Sequence, residues 1–455
     1  MSERKLFGTD GIRGKANTYP MTPEVAMLLG RAVTHYFQRT SKRNTKPLII
    51  VGKDTRLSCY MIEQAFSAGV CAQGGEVVLT GPLPTPGVAF VTTSMRADAG
   101  VMISASHNKY NDNGIKIFDA LGRKLPDSVE AEIEELVLAP GLMPVKVDAG
   151  LGNAKRLKEV FGRYIVHAKA ALSDDFDLEG MRIVLDCANG AGYQVTPMMF
   201  QELGAEIFSL GVAPNGTNIN EDCGSLHPSG AAKAVVKYRA DVGICLDGDA
   251  DRLVVVDEKG EVVDGDKLIG LFAWHLLQQG VIKKGDTIVG TVMSNFGLEV
   301  YLKSLGLKLH RSQVGDRYIV EYMQETGALL GGEPSGHIIF RRHSTTGDGA
   351  LAALKLFECI KTYNKTVSEL AAVIDLYPQE LINVRVTEKL DFKTLPAMKE
   401  VMARAEKELG DKGRILVRYS GTEPLARVMV EGDKAELVRS LCSEIAGVLK
   451  KEIGA

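Results

Sequence analysis

Ser106, His107 and Lys116 stand close together in the stretch Gly100–Phe118, GVMISASHNKYNDNGIKIF. A hydroxyl beside basic side chains can act as a nucleophile that takes up and returns a transferable group. A second stretch, Asp247-Gly248-Asp249-Ala250-Asp251-Arg252, carries three carboxylates at alternate positions. On an extended chain alternate side chains point the same way, and the outer two would sit about 13 Å apart at ~3.3 Å per residue. One ion with oxygen ligands at about 2.1 Å cannot span that distance. The segment must curl, and the small Gly248 and Ala250 allow it. All-oxygen ligation favours magnesium over zinc or copper. A solvated acidic turn has the same composition, but three unrelieved carboxylates behind an apolar run repel one another without a cation.

Two further stretches could handle a polar, anionic small molecule. Gly331–His337 reads GGEPSGH, and Glu333, Ser335 and His337 offer donors and acceptors on a glycine-hinged loop. Sugar hydroxyls need such paired partners, although loops of this composition are common. Arg418–Arg427 reads RYSGTEPLAR. Ser420, Gly421 and Thr422 supply hydroxyls and backbone N–H groups, and Arg418 and Arg427 add charge suited to a dianionic phosphate. A plain hairpin turn is the alternative there. Near the start, FGTDGIRG places Arg13 in a shaped polar loop. Gly315-Asp316-Arg317 fits either a cleft lining or a helix start.

The elements that must hold these residues alternate. Gly100–Ile103 reads as a buried strand, Asp112-Asn113-Gly114 as a tight turn, and Ile115–Phe118 as a returning strand. Before them come a strand over Leu48–Val51, a helix over Ser58–Gln73, a strand over Glu76–Leu79 and a helix from about Pro84. The alternation restarts after a proline- and glycine-rich stretch near residue 150, with strands at Arg182–Asp186 and Val242–Leu246, and again at Thr287–Gly290. It predicts three related α/β domains with mixed, mostly parallel sheets. The last part predicts a smaller α+β C-terminal domain, with a helix over Lys393–Leu409 and a closing amphipathic helix over Lys434–Lys450. The expected boundaries are 1–152, 153–253, 254–374 and 375–455.

A chain of 455 residues is too long for one core. Its 45% hydrophobic and 24% charged residues fit a folded soluble protein rather than a disordered one. A net charge of −3 gives no field for nucleic acid or anionic membrane. Seven scattered cysteines without a CxxC pair speak for reduced thiols and against a zinc site. The opening MSERKLFGTD has no apolar signal core, and no run approaches a membrane span. The expected location is the cytoplasm.

Taken together, FGTDGIRG, ASHNK, DGDADR, GGEPSGH and RYSGTEPLAR resemble the α-D-phosphohexomutase superfamily over the whole chain. That resemblance implies four domains around a central cleft and a phosphoserine at Ser106. It implies Mg2+ held by Ser106, Asp247, Asp249 and Asp251, and a sugar gripped by Glu333, Ser335 and His337. Arg13 and Arg252 would face the transferring phosphate, Lys116 ahead of His107 would handle protons, and Arg418–Arg427 would hold the non-reacting phosphate. The implied activity interconverts glucosamine 6-phosphate and glucosamine 1-phosphate through a 1,6-bisphosphate, which also serves as activator, and feeds UDP-N-acetylglucosamine synthesis. A homodimer is implied as well. Phosphomannomutase/phosphoglucomutase chemistry is the alternative, and a Mg-dependent sugar phosphatase or a non-catalytic sensor stands further off. Two positions depart from the usual pattern: Lys109 replaces a proline after SHN, and Pro334 lies between Glu333 and Ser335.

Overall fold

The computed structural model describes residues 6–8, 10–41, 45–420 and 424–455. Four sheets divide the chain. The first is seven-stranded, in the order Phe7–Gly8, Gly11–Lys15, Asp112–Asp119, Ala99–Ile103, Leu48–Lys53, Glu76–Pro82, Asn153–Arg156. Its middle is parallel: Leu48–Lys53 pairs in parallel with both Ala99–Ile103 and Glu76–Pro82. Ala99–Ile103 is buried along its whole length, because helices cover both faces of such a strand and each needs an apolar side. The expected turn at Asp112–Gly114 lies instead inside the strand Asp112–Asp119. The Asn113 amide donates to Ser58 Oγ at 2.8 Å and is buried, so a residue with turn chemistry is satisfied within a strand. The chain turns earlier, over the polar residues after Ser106.

The second sheet runs Val262–Val263, Leu253–Val256, Val242–Leu246, Arg182–Asp186, Glu206–Leu210. Leu253–Val256 returns antiparallel on Val242–Leu246, so this sheet continues past the boundary expected at 253. Asn153–Arg156 pairs with Glu76–Pro82, so the first sheet likewise continues past 152. Asn153–Arg156 closes a free sheet edge, and Leu253–Val256 carries the second sheet on to its edge strand Val262–Val263, pairings that local pattern does not reveal. The third sheet is Lys308–Ser312, Thr287–Thr291, Leu330–Gly332, Ile338–Phe340. The fourth is antiparallel, with Leu425–Gly432 between Gln379–Arg385 and Gly413–Tyr419.

One core joins the second and third units: Leu185, Ile244 and Phe200 lie in the same cluster as Leu330, Phe357 and Ile288. Val160 and Ala191 extend the core of the first unit toward the second. The C-terminal unit keeps a core of its own, built on Met398, Val428, Val430, Ile445 and Leu449. It is tied to the third unit by polar bonds, among them Arg414 Nη2 to the Ser294 carbonyl at 2.7 Å and the Tyr377 N–H to Asn295 Oδ1 at 2.9 Å.

Three loops therefore arise in the same way. Ala99–Ile103, Val242–Leu246 and Leu330–Gly332 each pair in parallel with a neighbour and each ends at a polar loop. The carboxyl ends of parallel strands are where open α/β sheets gather ligand-facing groups.

Candidate active site

The loop after Ile103 meets the loop after Leu246 head-on. Ser106 Oγ donates to Asp247 Oδ2 at 2.6 Å, and both residues are buried. Ser106 adopts φ +52, a left-handed conformation rare for a side-chain-bearing residue. A buried scaffold holds it there. Arg56 Nη2 donates to the Ser106 carbonyl at 3.0 Å and to the Asn108 carbonyl at 2.6 Å. The Asn220 amide donates to the same two carbonyls, each at 2.9 Å. Arg56 is wholly buried and ion-paired with Asp54. Asp54 also accepts from Ser104 Oγ at 2.6 Å, and Ser104 Oγ in turn accepts the Ser106 N–H at 2.9 Å.

The aspartate loop curls as its spacing requires. Ala250 takes φ +56, and its N–H donates to the Asp247 carbonyl at 3.0 Å. A carboxylate oxygen from each of Asp247, Asp249 and Asp251 then lies within 4.8 Å of the others. Gly248 is required by proximity: a Cβ there would lie 2.5 Å from the Ser106 carbonyl oxygen and 2.9 Å from the Asn220 amide.

Asp249 Oδ2 accepts from Thr85 Oγ1 at 2.7 Å and from Lys116 Nζ at 2.9 Å. Asp249 Oδ1 and Asp251 Oδ1 are buried with no hydrogen-bond donor among the described residues. Buried carboxylate oxygens normally have partners. Three converging carboxylates with two oxygens left over fit a hard cation with oxygen ligands. Burial, and then Asp251 and Asp249, push the Asp247 carboxyl well above its usual range, which is the cost a cation would relieve.

Lys116 is the cationic centre of the cleft. Its ammonium lies 2.9 Å from Asp249, 3.4 Å from Asp251 and 3.5 Å from Asp10. Burial would lower its pKa, but the three carboxylates hold it well above the usual lysine value. Burial would likewise raise Asp10, yet Lys116, Lys124 and Arg13 keep it well below the carboxylate range. Arg13 is thus placed through its ion pair with Asp10. His107 Nδ1 lies 3.4 Å from Ser106 Oγ. Burial, then Arg252 and Arg13, lower its pKa to about 4, so it is neutral and able to accept a proton. Lys109 is exposed.

The third unit adds Glu333 and its loop. Glu333 Oε1 accepts the Gly315 N–H at 3.1 Å, and Ser335 Oγ lies 3.4 Å from Oε2. Gly336, at φ +88, brings this loop onto the metal-loop hairpin, where a Cβ would meet the Leu253 carbonyl at 2.0 Å. His337 lies between Asp251 and Gly347. Its Nδ1 lies 3.7 Å from Asp251 Oδ1, and its Nε2 accepts the Gly347 N–H at 3.0 Å. Burial would lower its pKa, but Asp251, Asp316 and Glu333 raise it to about 8. Asp316 starts the helix Asp316–Thr326 and ion-pairs with Lys124 at 2.6 Å. Arg317 points at the first unit, 2.7 Å from Glu130, and not into the cleft.

In the fourth unit Arg418 and Arg427 are cross-strand partners. Like charges in that position repel, and burial followed by Arg427 lowers the pKa of Arg418. An anion between them would relieve both. Ser420 is buried beside them; Gly421 and Thr422 lie outside the described residues.

Sequence reading missed Asp10, Asp54, Arg56, Thr85, Lys124 and Asn220. A signal existed for two of them: Asp54 and Arg56 follow the strand Leu48–Lys53 in a polar cluster, as Ser106 follows Ala99–Ile103. Nothing local marks Asn220 or Thr85, which reach the site from other units.

Four phosphoglucomutase/phosphomannomutase family models match the chain in order: alpha/beta/alpha domain I over residues 4–141, domain II over 162–260, domain III over 264–377 and the C-terminal domain over 381–448. The fold and the site thus define a phosphohexomutase. Solved structures agree on the fold. A phosphoglucomutase/phosphomannomutase family protein from Burkholderia thailandensis superposes with a TM-score of 0.82 at 22% identity, over 98% of this chain and 97% of that one. The N-acetylphosphoglucosamine mutase of Aspergillus fumigatus, solved with GlcNAc-6P and magnesium, gives 0.68 at 18% identity, over 100% and 96%. Phosphoglucosamine mutases of Desulfovibrio desulfuricans and Pelobacter propionicus are each 52% identical over 99% of both chains. The chain belongs to the phosphoglucosamine mutase family. All seven cysteines are free thiols, and no helix among the described residues is long and apolar enough to cross a membrane.

Proposed function

We propose that this protein interconverts glucosamine 6-phosphate and glucosamine 1-phosphate through a phosphoserine at Ser106 and a glucosamine 1,6-bisphosphate. The observation that carries the reading is the 2.6 Å contact between Ser106 Oγ and Asp247 within a converging aspartate triad. A nucleophile held against its own charge-neutralising loop suits phosphoryl transfer, in which positioning and electrostatics do most of the work. Asp247, Asp249, Asp251 and Ser106 would hold Mg2+, which when bound neutralises charge on the transferring group.

In the first half-reaction the bond from Ser106 Oγ to phosphorus breaks and one from the sugar O1 to phosphorus forms. In the second, the bond from O6 to phosphorus breaks and Ser106 Oγ takes the phosphoryl group back. Each transfer releases a proton from the attacking hydroxyl and delivers one to the departing oxygen. Lys116, charged and buried, and His107, neutral and 3.4 Å from Ser106 Oγ, are the two groups at hand to carry it. Lys116 ranks first, because its ammonium reaches both Asp249 and Asp251 beside the nucleophile.

Arg13 and Arg252 stabilise the transferring charge. Glu333, Ser335 and His337 take sugar hydroxyls or the amine, and His337 also lies against Asp251. Arg418, Ser420, Gly421, Thr422 and Arg427 hold whichever phosphate is not reacting. A sugar 1,6-bisphosphate primes an unphosphorylated serine.

Phosphorus NMR of glucosamine 6-phosphate with Mg2+ and a trace of glucose 1,6-bisphosphate tests this. A glucosamine 1-phosphate signal that grows faster than the products of mannose or glucose 6-phosphate upholds it. Faster turnover of the other sugars keeps the chemistry and reassigns the substrate. Accumulation of inorganic phosphate instead would overturn the mutase reading.

A further inference from the structure

Lys124 joins the first unit to the third beside the residues that handle the phosphate. It stands opposite Phe118 in an antiparallel bridge, after a turn that the Asp119 N–H closes on the Arg123 carbonyl at 2.7 Å. Opposite residues of an antiparallel pair share a face, and so do alternate residues of one strand. Lys124 therefore lies on the same face of the first sheet as Lys116, two residues before Phe118. Two ammonium groups so placed repel. Asp10 relieves both: its Oδ1 pairs with Lys124, and its Oδ2 pairs with Arg13 and, at 3.5 Å, with Lys116. One carboxylate thus spaces three cations.

The same ammonium crosses to the third unit. Lys124 Nζ donates to Asp316 Oδ2 at 2.6 Å. Both side chains are only 14% exposed, so this is not a water-screened surface pair of little consequence. Asp316 opens the helix Asp316–Thr326. The N–H of Gly315, just before it, donates to Glu333 Oε1 at 3.1 Å. Arg317, just after it, reaches Glu130 of the first unit at 2.7 Å. The helix start is therefore docked by two ion pairs of opposite sense. Arg317 and Glu130 suffice to dock it. What Lys124 adds is the link to Asp10, and so a chain of contacts from the sugar loop at Glu333 to Lys116 and Arg13.

We propose that Lys124 is a positioning residue for the phosphoryl transfer, which fixes Asp10, and through it Lys116 and Arg13, at a set distance from the sugar loop of the third unit. The inference rests on the mutase reading above and adds to it a residue that touches neither substrate nor cation. Without Lys124, Asp10 keeps only Arg13 and Lys116 and moves with them. The sugar and the two cations then lose their common frame.

Steady-state kinetics of the full chain with glucosamine 6-phosphate test the proposal. Lys124→Met removes the ammonium and keeps most of the volume. It should lower kcat by roughly tenfold to a hundredfold, the cost of a small misplacement, with KM changed by less than about twofold, because no ground-state contact is lost. Lys124→Arg keeps a cation able to reach both carboxylates and should restore most of the turnover. Asp316→Asn cuts the same link from the other side, should lower kcat in the same way, and carries the test if Lys124→Met does not fold. The pair of substitutions should cost no more than the worse single one, since residues acting as one unit are not additive. Urea midpoints report folding separately. An unchanged kcat in Lys124→Met, a raised KM at unchanged kcat, or fully additive losses in the pair would overturn the proposal while the wild type still forms glucosamine 1-phosphate. Failure of the wild type to form it would overturn the mutase reading, and this inference with it.

Discussion

Ser106 Oγ and Asp247 Oδ2 lie 2.6 Å apart although 141 positions separate them in the chain. The contact joins two sheets through the loops that follow their parallel strands. It puts the proposed nucleophile and the three aspartates in one place. Ser106→Ala should therefore abolish turnover by at least about a thousandfold, as removal of a nucleophile does. Intact-mass analysis should find one phosphate on the wild-type chain and none on the variant. Undiminished turnover in the variant would rule out the phosphoserine route.

Arg56 should matter through geometry alone. Its guanidinium donates to the Ser106 and Asn108 carbonyls and pairs with Asp54, all out of water. Arg56→Ala leaves Asp54 buried without its partner, a loss of about 3–5 kcal/mol. Arg56→Lys keeps the charge but cannot fork to two carbonyls. The lysine variant should unfold near the wild-type midpoint in urea and show lowered kcat with little change in KM. A kcat equal to wild type would show that the serine loop holds itself.

Gly248→Ala separates two loops by one methyl group. The added carbon would fall 2.5 Å from the Ser106 carbonyl oxygen, so one loop must move by roughly an ångström or less to restore ordinary contact. Misplacement of that size can cost about a hundredfold in rate. Stopped assays should show that loss in kcat, while thermal melting changes modestly.

The aspartate triad predicts a metal response. Mg2+ added to chelated protein should raise Tm, because binding to the folded state alone stabilises it. Asp249→Asn should abolish that shift and the turnover together. A full Mg2+-dependent rise in Tm with Asp249→Asn would place the cation elsewhere.

A pH effect on stability is expected far from the serine. Asp266 is buried, and burial pushes its pKa up to about 7, against the N–H of Asn295 that pulls it down. The folded value lies above the unfolded one, so the fold favours the protonated carboxyl. Its contribution to stability is whole below about pH 4 and is lost as pH rises through 7. Each tenfold change in proton affinity is worth about 1.4 kcal/mol. Urea unfolding should show wild type losing stability from pH 5 to pH 8 relative to Asp266→Asn. Parallel pH profiles for the two proteins would refute the assignment.

The sequence by itself determined where the polar loops fall. SHN after GVMIS, DGDADR after VGICL and GGEPSGH are local statements, since a short apolar run ending in polar residues marks a strand end wherever the strand goes. The same holds for the curl of the aspartates, which follows from the reach of one cation. Tertiary structure decided what those loops meet. Asn220 and Thr85 reach the Ser106 and Asp249 loops from other units, and no spacing along the chain encodes that. His337 shows the same within one motif: its Nδ1 lies 3.7 Å from Asp251 Oδ1, a contact that the spacing of GGEPSGH does not encode. The strands Asn153–Arg156 and Leu253–Val256 were hidden for a related reason. A strand's partner is set by which sheet edge the folded chain leaves open, and that is a property of the whole arrangement and not of the segment.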